Sequence, residues 1–378
     1  MRRTDRSAKG KRGARASRAR AAAAAESQER SNKPPRSSRQ TVLWRPTESA
    51  KLPRFAGVPS FLRVPIHADP DPAVVPAVDV LLCGAPFDSG SSFRTGARFG
   101  PRAVREASSQ SRRFSAALGI DIYEELTVAD GGDVSMSPHD VEEALLAVAA
   151  RAEAIVSSGA IVGTIGGDQT VTLGALRGIH RAKLKGVTLL HIDAHSNTAP
   201  AVWGKNVHHG SVMRCAVEEG LVRPDQTMQV GIRGPYSSMG ELDFALSHGF
   251  EIVNLDEVRW DLHSAISQIR KAVRRGMLYV SVDLSVLDPA FAPGVGVPSA
   301  GGMSTWELQQ LLRALVGADI VGFDVVELCP PHDHADLAAL AAVSVIQEIL
   351  AAIADTRRSA RPAPSATPDS RRGRRLSP

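Results

Sequence analysis

The sequence predicts an α/β protein built on a mostly parallel sheet with helices on both faces, and three observations predict it. From about residue 77 short apolar runs alternate with amphipathic stretches, which is the pattern of strands joined by crossover helices. No segment repeats at a period of 20–50 residues, so a solenoid is excluded. Each of the chain's conspicuous polar clusters follows directly after an apolar run, and in open parallel sheets ligands bind just beyond the carboxyl ends of the strands. The 378 residues suit one large α/β unit.

The elements follow in order. VDVLLCGA (78–85) is a strand, and VEEALLAVAARAEAIVSSG (141–159) has helical periodicity. That helix starts at Ser137-Pro138-His139-Asp140 and stops at Gly159, in keeping with the residues that favour helix ends. AIVGTIG is a strand, VTLGALRGIHRA a helix, GVTLLHID a strand and GSVMRCAVEEG a helix. TMQVGIR, FEIVNL and MLYVSVD are three further strands; TWELQQLLRALVG, DIVGFDVVEL and ADLAALAAVSVIQEILAAIA complete the body. None of these is read as an apolar run of the roughly 18 residues that cross a bilayer.

The net charge of +5 divides unevenly. Residues 1–40 hold 13 Lys/Arg against three acids and residues 357–378 hold seven against one, while the intervening 316 residues hold 25 bases against 36 acids. The basic character belongs to the tails and the folded body is acidic. With almost no apolar side chain larger than Ala before Val42, the first tail cannot offset its ordering entropy, so disorder is expected over 1–45 and again over 357–378. A solvated extension, an acidic-partner or nucleic-acid tether, and an organelle transit peptide are the readings of the first tail. The body is taken as 46–356, and a cytoplasmic location is expected, with a mitochondrial one as the alternative. Cys83, Cys215 and Cys329 are widely spaced and odd in number, which points to buried thiols in a reducing compartment.

Five polar clusters should meet at the rim: Gly166-Gly167-Asp168-Gln169-Thr170, the stretch HIDAHSNT (191–198), Val207-His208-His209-Gly210-Ser211, the run from Ser281 to Ala290, and Asp324-Val325-Val326-Glu327. Asp and His among Asn, Gln and Ser oxygens suit a hard or borderline divalent cation better than a soft thiolate site does. Any one of these residues alone would read as a helix cap or a surface histidine; five clusters in register argue for one site. In HIDAHSNT, Asp193 and His195 lie two apart and so share a side of an extended chain. Where a second carboxylate would complete the set stands Asn197.

From about residue 79 to 353 the sequence resembles the ureohydrolases, in particular the agmatinase and guanidinobutyrase branch. The resemblance is carried by GAPFDSGSSFRTGARFGPRAVREAS, GGDQT, DAHSN, HHGSVMRCAVEEGL, QVGIRGP, SVDLSVLDPAFAPGVGVPSAGGMS and DVVELCPPHDHADLAALAA. It implies a three-layer α/β/α fold with a central, mostly parallel sheet of about eight strands. It also implies hydrolysis of a guanidino compound to urea and an amine by a water that two Mn2+ ions activate. The six ligands of that pair map onto Asp193, His195 and Asp283, which match in type, and onto Gln169, Asn197 and Ser285, which do not: His, Asp and Asp are expected at those three.

With two carboxylates in place of four, a second dication loses most of its electrostatic attraction. One Mn2+ is therefore expected ahead of two, with another divalent ion or none as open alternatives. By the same resemblance His209 shuttles protons or positions substrate, and Glu327 receives the guanidinium. Arg94 and Arg98 fall in an entrance and assembly loop and read as subunit contacts. Trp203 reads either as a cover of the pocket or as packing. A homo-oligomer, trimer or hexamer, is implied. Three functions stay open: an amidinohydrolase working on half the usual ligands; a catalytically reduced paralogue that binds a guanidino ligand, alone or beside an active paralogue in a hetero-oligomer; and a scaffold that carries the basic tails.

Overall fold

A computed structural model describes residues 45–69, 71–184 and 186–361. The expected disordered tails lie outside these residues for the most part, over 1–44 and 362–378. The body carries eight strands in one sheet: β1 (Val80–Gly84), β2 (Val128–Asp133), β3 (Ile161–Ile165), β4 (Val187–Ile192), β5 (Val222–Val230), β6 (Glu251–Val253), β7 (Met277–Asp283) and β8 (Asp319–Val326). Their order across the sheet is β2-β1-β3-β8-β7-β4-β5-β6, and every neighbouring pair is parallel. The central strands are buried along nearly their whole length, which is why they read as unbroken apolar runs.

Helices α1 (Gly100–Ala107), α2 (Val141–Ser157), α3 (Thr170–Arg181), α4 (Val212–Glu218), α5 (Met239–Ser247), α6 (Leu255–Trp260), α7 (Leu262–Ala272), α8 (Thr305–Leu312) and α9 (Leu337–Ala360) surround the sheet. They pack as two sets: α3 against both α2 and α4, and α9 with α1 and α8, with α7 against α8. The arrangement is the expected three-layer α/β/α.

Helix ends follow the expected chemistry. Asp140 caps α2, accepting from the Glu143 N–H at 2.9 Å, and the chain leaves that helix through Gly159 at φ +80°, a conformation open to glycine at little cost. The run FEIVNL is a strand only over Glu251–Val253, because Asn254 turns to cap α6 through the Glu257 N–H.

Three features differ from the sequence reading. β2 has the sequence VADGGD, with no apolar run to announce it; pairing with β1 makes it an edge strand. α9 continues to Ala360, past the boundary at 356, since Arg357 pairs with Asp79 at 2.7 Å and Arg361 with Glu125 at 2.7 Å, and cations favour a helix C-terminus. α9 is also long and apolar enough, by length and composition, to cross a membrane. Its window is 72% buried within the protein, as the core helix of a three-layer fold must be.

β3, β8, β7 and β4 are consecutive in the sheet, and their carboxyl ends deliver Asp168 and Gln169, Glu327, Asp283, and Asp193. The register puts Val326 opposite Asp283 and Ile192 opposite Val282.

Candidate functional site at the strand carboxyl ends

Asp193 is fully buried and its carboxylate receives four well-formed hydrogen bonds. Oδ1 accepts from the His195 backbone N–H at 2.9 Å and the Ser285 hydroxyl at 2.8 Å. Oδ2 accepts from the Asn197 amide at 2.6 Å and lies 3.0 Å from His191 Nε2. The Gln229 side-chain amide donates to His191 Nδ1 at 3.1 Å, which fixes the His191 proton on Nε2, facing Asp193. Burial alone would raise the Asp193 pKa, but the hydrogen bonds of His191 and His195 outweigh it and hold the carboxyl well below the ordinary range. His195 Nδ1 sits 3.4 Å from Asp193 Oδ1 and 3.3 Å from Ser285 Oγ, and its Nε2 is 3.1 Å from Ser299 Oγ.

Asp283 accepts from the Ser285 N–H at 2.7 Å. Burial, then the charges of Asp193 and Glu327, push its carboxyl well above the ordinary value. Arg233 fixes the loop behind it, donating to the carbonyls of Val286 at 3.0 Å, Ser285 at 2.9 Å and Ser299 at 2.6 Å.

The second half of the site centres on Glu327, which follows β8 with φ +65°, a strained setting for a residue with a side chain. Oε1 accepts from the Gln169 backbone N–H at 2.9 Å and lies 3.1 Å from His209 Nδ1. Oε2 is buried and has no partner. It packs against Gly296, where an added Cβ would stand 2.4 Å from it, so glycine there is what leaves the carboxylate room. His209 Nε2 is 2.6 Å from Ser92 Oγ and accepts from the Ser92 N–H, which leaves Nδ1 to carry the proton toward Glu327. Burial lowers the His209 pKa, and the Glu327 charge and hydrogen bond more than reverse this, so it is raised. Asp168 lies alongside, raised to about 6 by burial and by Glu327. Its oxygens hold the N–H groups of Gly90 at 2.8 Å and Thr170 at 2.9 Å.

Gln169 donates its amide to Thr172 at 2.8 Å and to Ser281 at 2.9 Å, and Ser281 donates to Asp324, which also accepts from Tyr279 at 2.6 Å. Burial raises the Asp324 carboxyl to about 6. The Gln169 carbonyl oxygen is buried without a partner.

Gln169, Asn197 and Ser285, where the resemblance leads one to expect other ligands, act as donors here. Asn197 and Ser285 give hydrogens to the Asp193 carboxylate instead of oxygens to a cation, and Gln169 gives its amide to the Ser281–Asp324 network. A carboxylate has about four lone-pair sites, and those of Asp193 are taken. Among the described residues no three His, Cys, Asp or Glu side chains are grouped as a metal site. The donor set fits a hydrogen-bonded anion and does not fit a carboxylate bridging two dications. Replacing this hub exposes its cost: Asp193→Ala is expected to lower the unfolding free energy by about 3 kcal/mol or more, since several buried donors lose their acceptor together. Urea denaturation would measure it, and a loss below about 1 kcal/mol would show that the network carries little of the fold.

The structure gathers the expected Asp193, His195, Asp283, His209 and Glu327 at one rim, and adds Ser92, His191 and Gln229, whose parts the sequence does not announce. His191 and Gln229 sit inside apolar runs, where a polar residue gives no sign of which way it faces. Arg98 pairs with buried Asp88 in the same chain, which gives it a structural role within the subunit. Arg94 lies over the Phe93 ring, 5.7 Å from its centroid. Trp203 is 83% exposed and borders, with Ser92, Lys205 and His208, a cavity of about 430 Å³, so it does not pack inside.

A family model described as the arginase family matches residues 78–352. Guanidinopropionase of Pseudomonas aeruginosa is 39% identical over 313 residues, covering 82% of this chain and 96% of that protein. Guanidinobutyrase of the same organism is 34% identical, covering 82% and 96%. The solved structure of proclavaminate amidino hydrolase from Streptomyces clavuligerus superposes with a TM-score of 0.74 at 35% identity, covering 80% of this chain and 99% of that one. With the family model matched over most of its length and these relatives covered almost end to end, the chain belongs to the arginase family.

Proposed function

We propose that this chain binds a guanidino-type ligand at Glu327 and His209 and has lost the two-metal hydrolysis of a guanidino group. One contrast carries the reading: Glu327 keeps a buried carboxylate oxygen without a partner, whereas the lone pairs of Asp193 are all engaged by neighbours. A planar guanidinium offers five N–H donors, and the free oxygens of Glu327 and Gln169 are acceptors awaiting them. The cavity lined by Ser92, which bonds His209, also carries Lys205, which suits a carboxylate at the ligand's far end. The names of the relatives guanidinopropionase and guanidinobutyrase support a guanidino acid. Such a member of the family serves as a ligand-binding or regulatory protein. Calorimetric titration with 3-guanidinopropanoate, 4-guanidinobutanoate and agmatine in the presence of EDTA tests it: binding without urea release is expected, and Mn2+-dependent urea release lost in His195→Ala would overturn it.

Binding should depend on pH. Protonated His209 competes with the guanidinium for Glu327, and its pKa is raised above the ordinary histidine value. Affinity is therefore weakest below pH 6.5 and climbs as His209 deprotonates, while the ligand's guanidinium stays charged. Ionisation of Asp168 above about pH 6 acts in the same direction. For stability the sign is opposite: the ion pair of His209 with Glu327 contributes fully below pH 6.5 and is lost as pH rises through the raised value. Titrations at pH 6, 7 and 8 check the binding trend, and a flat profile contradicts it.

A second reading, one divalent ion at Asp193, His195 and Asp283, is favoured by the crowding of Asp283 beside Asp193 and Glu327, which a cation would relieve. Metal analysis of the protein after Mn2+ loading and desalting separates the two.

A further inference from the structure

We propose a second ligand site, for a small organic oxyanion, in a cavity between the segment 47–66 and the C-terminal half of α1. The cavity measures about 480 Å³, within the range of small-molecule sites, and shares no residue with the cavity beside Trp203.

Its wall brings together three guanidinium groups, those of Arg54, Arg63 and Arg105. Arg105 is neutralised: it pairs with Asp130 at 2.8 Å and Asp133 at 2.6 Å and stacks on Phe61. Arg54 and Arg63 are not. Among the described residues neither makes an ion pair with a carboxylate, and each has a buried side-chain nitrogen without a hydrogen-bond partner, Nε of Arg54 and Nη1 of Arg63. Arg63 spends one donor on the Leu52 carbonyl, at 2.9 Å. The one carboxylate in the wall, Glu106, is held by Arg102 at 3.2 Å. Burial and the nearby charges of Arg112 and Arg63 pull the Arg54 guanidinium below its ordinary value. Unpaired like charges gathered on an otherwise acidic body are costly without an anion between them.

Backbone strain points the same way. Leu62 and Arg63 both take positive φ, 55° and 61°, a conformation that residues with a Cβ adopt at a cost and that often marks ligand sites. Hydrogen bonds tie the turn down, from the Phe61 N–H to Asp130 and from the Leu62 N–H to Ser108. The strained turn holds the Arg63 guanidinium in the cavity wall.

The remaining wall mixes the polar side chains of Thr47, Ser60 and Ser109 with an apolar side made by Leu52, Pro59, Val64 and Ile66, and the largely exposed Phe55 and Val58 stand at its rim. A charged end with an apolar remainder defines the ligand class: a carboxylate or phosphate bearing a hydrocarbon group, its oxygens taken by the two guanidinium forks and its body by the apolar side.

The test is calorimetric titration of the full chain with phenyl phosphate, benzoate, inorganic phosphate and benzyl alcohol, at matched ionic strength. One saturable site per chain is expected for phenyl phosphate or benzoate, at least tenfold tighter than for inorganic phosphate or benzyl alcohol. The preferred arm tells phosphate from carboxylate. Arg54→Gln and Arg63→Gln should each weaken that binding at least tenfold. Circular dichroism and retained binding of 3-guanidinopropanoate would show that the variants fold; should Arg63→Gln not fold, Arg54→Gln decides alone. Absence of saturable binding, binding of inorganic phosphate as tight as that of phenyl phosphate and benzoate, or binding unchanged in Arg54→Gln would overturn the proposal.

Discussion

The triple variant Gln169→His, Asn197→Asp, Ser285→Asp is expected to become a metal-dependent fold. It returns a nitrogen ligand and two carboxylates to the cluster while removing two of the hydrogen bonds that now satisfy Asp193. Four carboxylates would then crowd the carboxyl ends of β4 and β7, and each close pair repels by roughly 4 kcal/mol at 4 Å and an effective dielectric near 20. In EDTA the melting temperature should fall by about 10 °C, taking about 2–4 °C per kcal/mol for a large domain and allowing some protonation to blunt the repulsion. Saturating Mn2+ should restore it, because whatever binds only the native state stabilises it. The native sequence, already neutralised by its own donors, should shift by less than about 2 °C between EDTA and Mn2+. Differential scanning calorimetry on both proteins in both buffers gives the comparison. A native protein that Mn2+ stabilises as strongly as the triple variant would contradict the reading of Asn197 and Ser285 as donors.

Glu327→Gln should separate binding from stability. The neutral amide keeps the oxygen that accepts from Gln169 and His209 but loses the charge that draws a guanidinium. Charge-assisted hydrogen bonds contribute about 1.5–3 kcal/mol, so affinity should drop by roughly 10- to 150-fold. The same change relieves Asp168 and Asp283, both pushed up by the Glu327 charge, so the melting temperature at pH 7–8 should hold or rise. The His209 ring, relieved of the same charge, should titrate lower when followed by NMR. A variant that loses affinity and stability together would point to a structural ion pair in place of a ligand site.

The fold was legible because the central strands are covered on both faces and so appear as unbroken apolar runs, as in VTLLHI and MLYVSVD. β2 was not, because VADGGD is held by its pairing with β1 and by Asp130, which receives the Phe61 N–H and Arg105, not by apolar burial. The place of the rim was legible too, since Asp193 and Glu327 each follow a strand and Asp283 ends one. What the altered residues do there was not. Asn197 can present an oxygen or an N–H2 group, and only the geometry around Asp193 shows the N–H2 turned inward. Likewise the free oxygen of Glu327 depends on Gly296, which lies 31 residues earlier in the chain.

The account rests on a guanidinium site that works without a metal pair, and titration of 3-guanidinopropanoate into EDTA-treated protein at pH 8 tests that most directly. Saturable binding to the native chain, lost in Glu327→Gln and accompanied by no urea, is the predicted result. Binding that appears only after Mn2+ is added, with urea released, would contradict it and return the chain to its hydrolytic relatives.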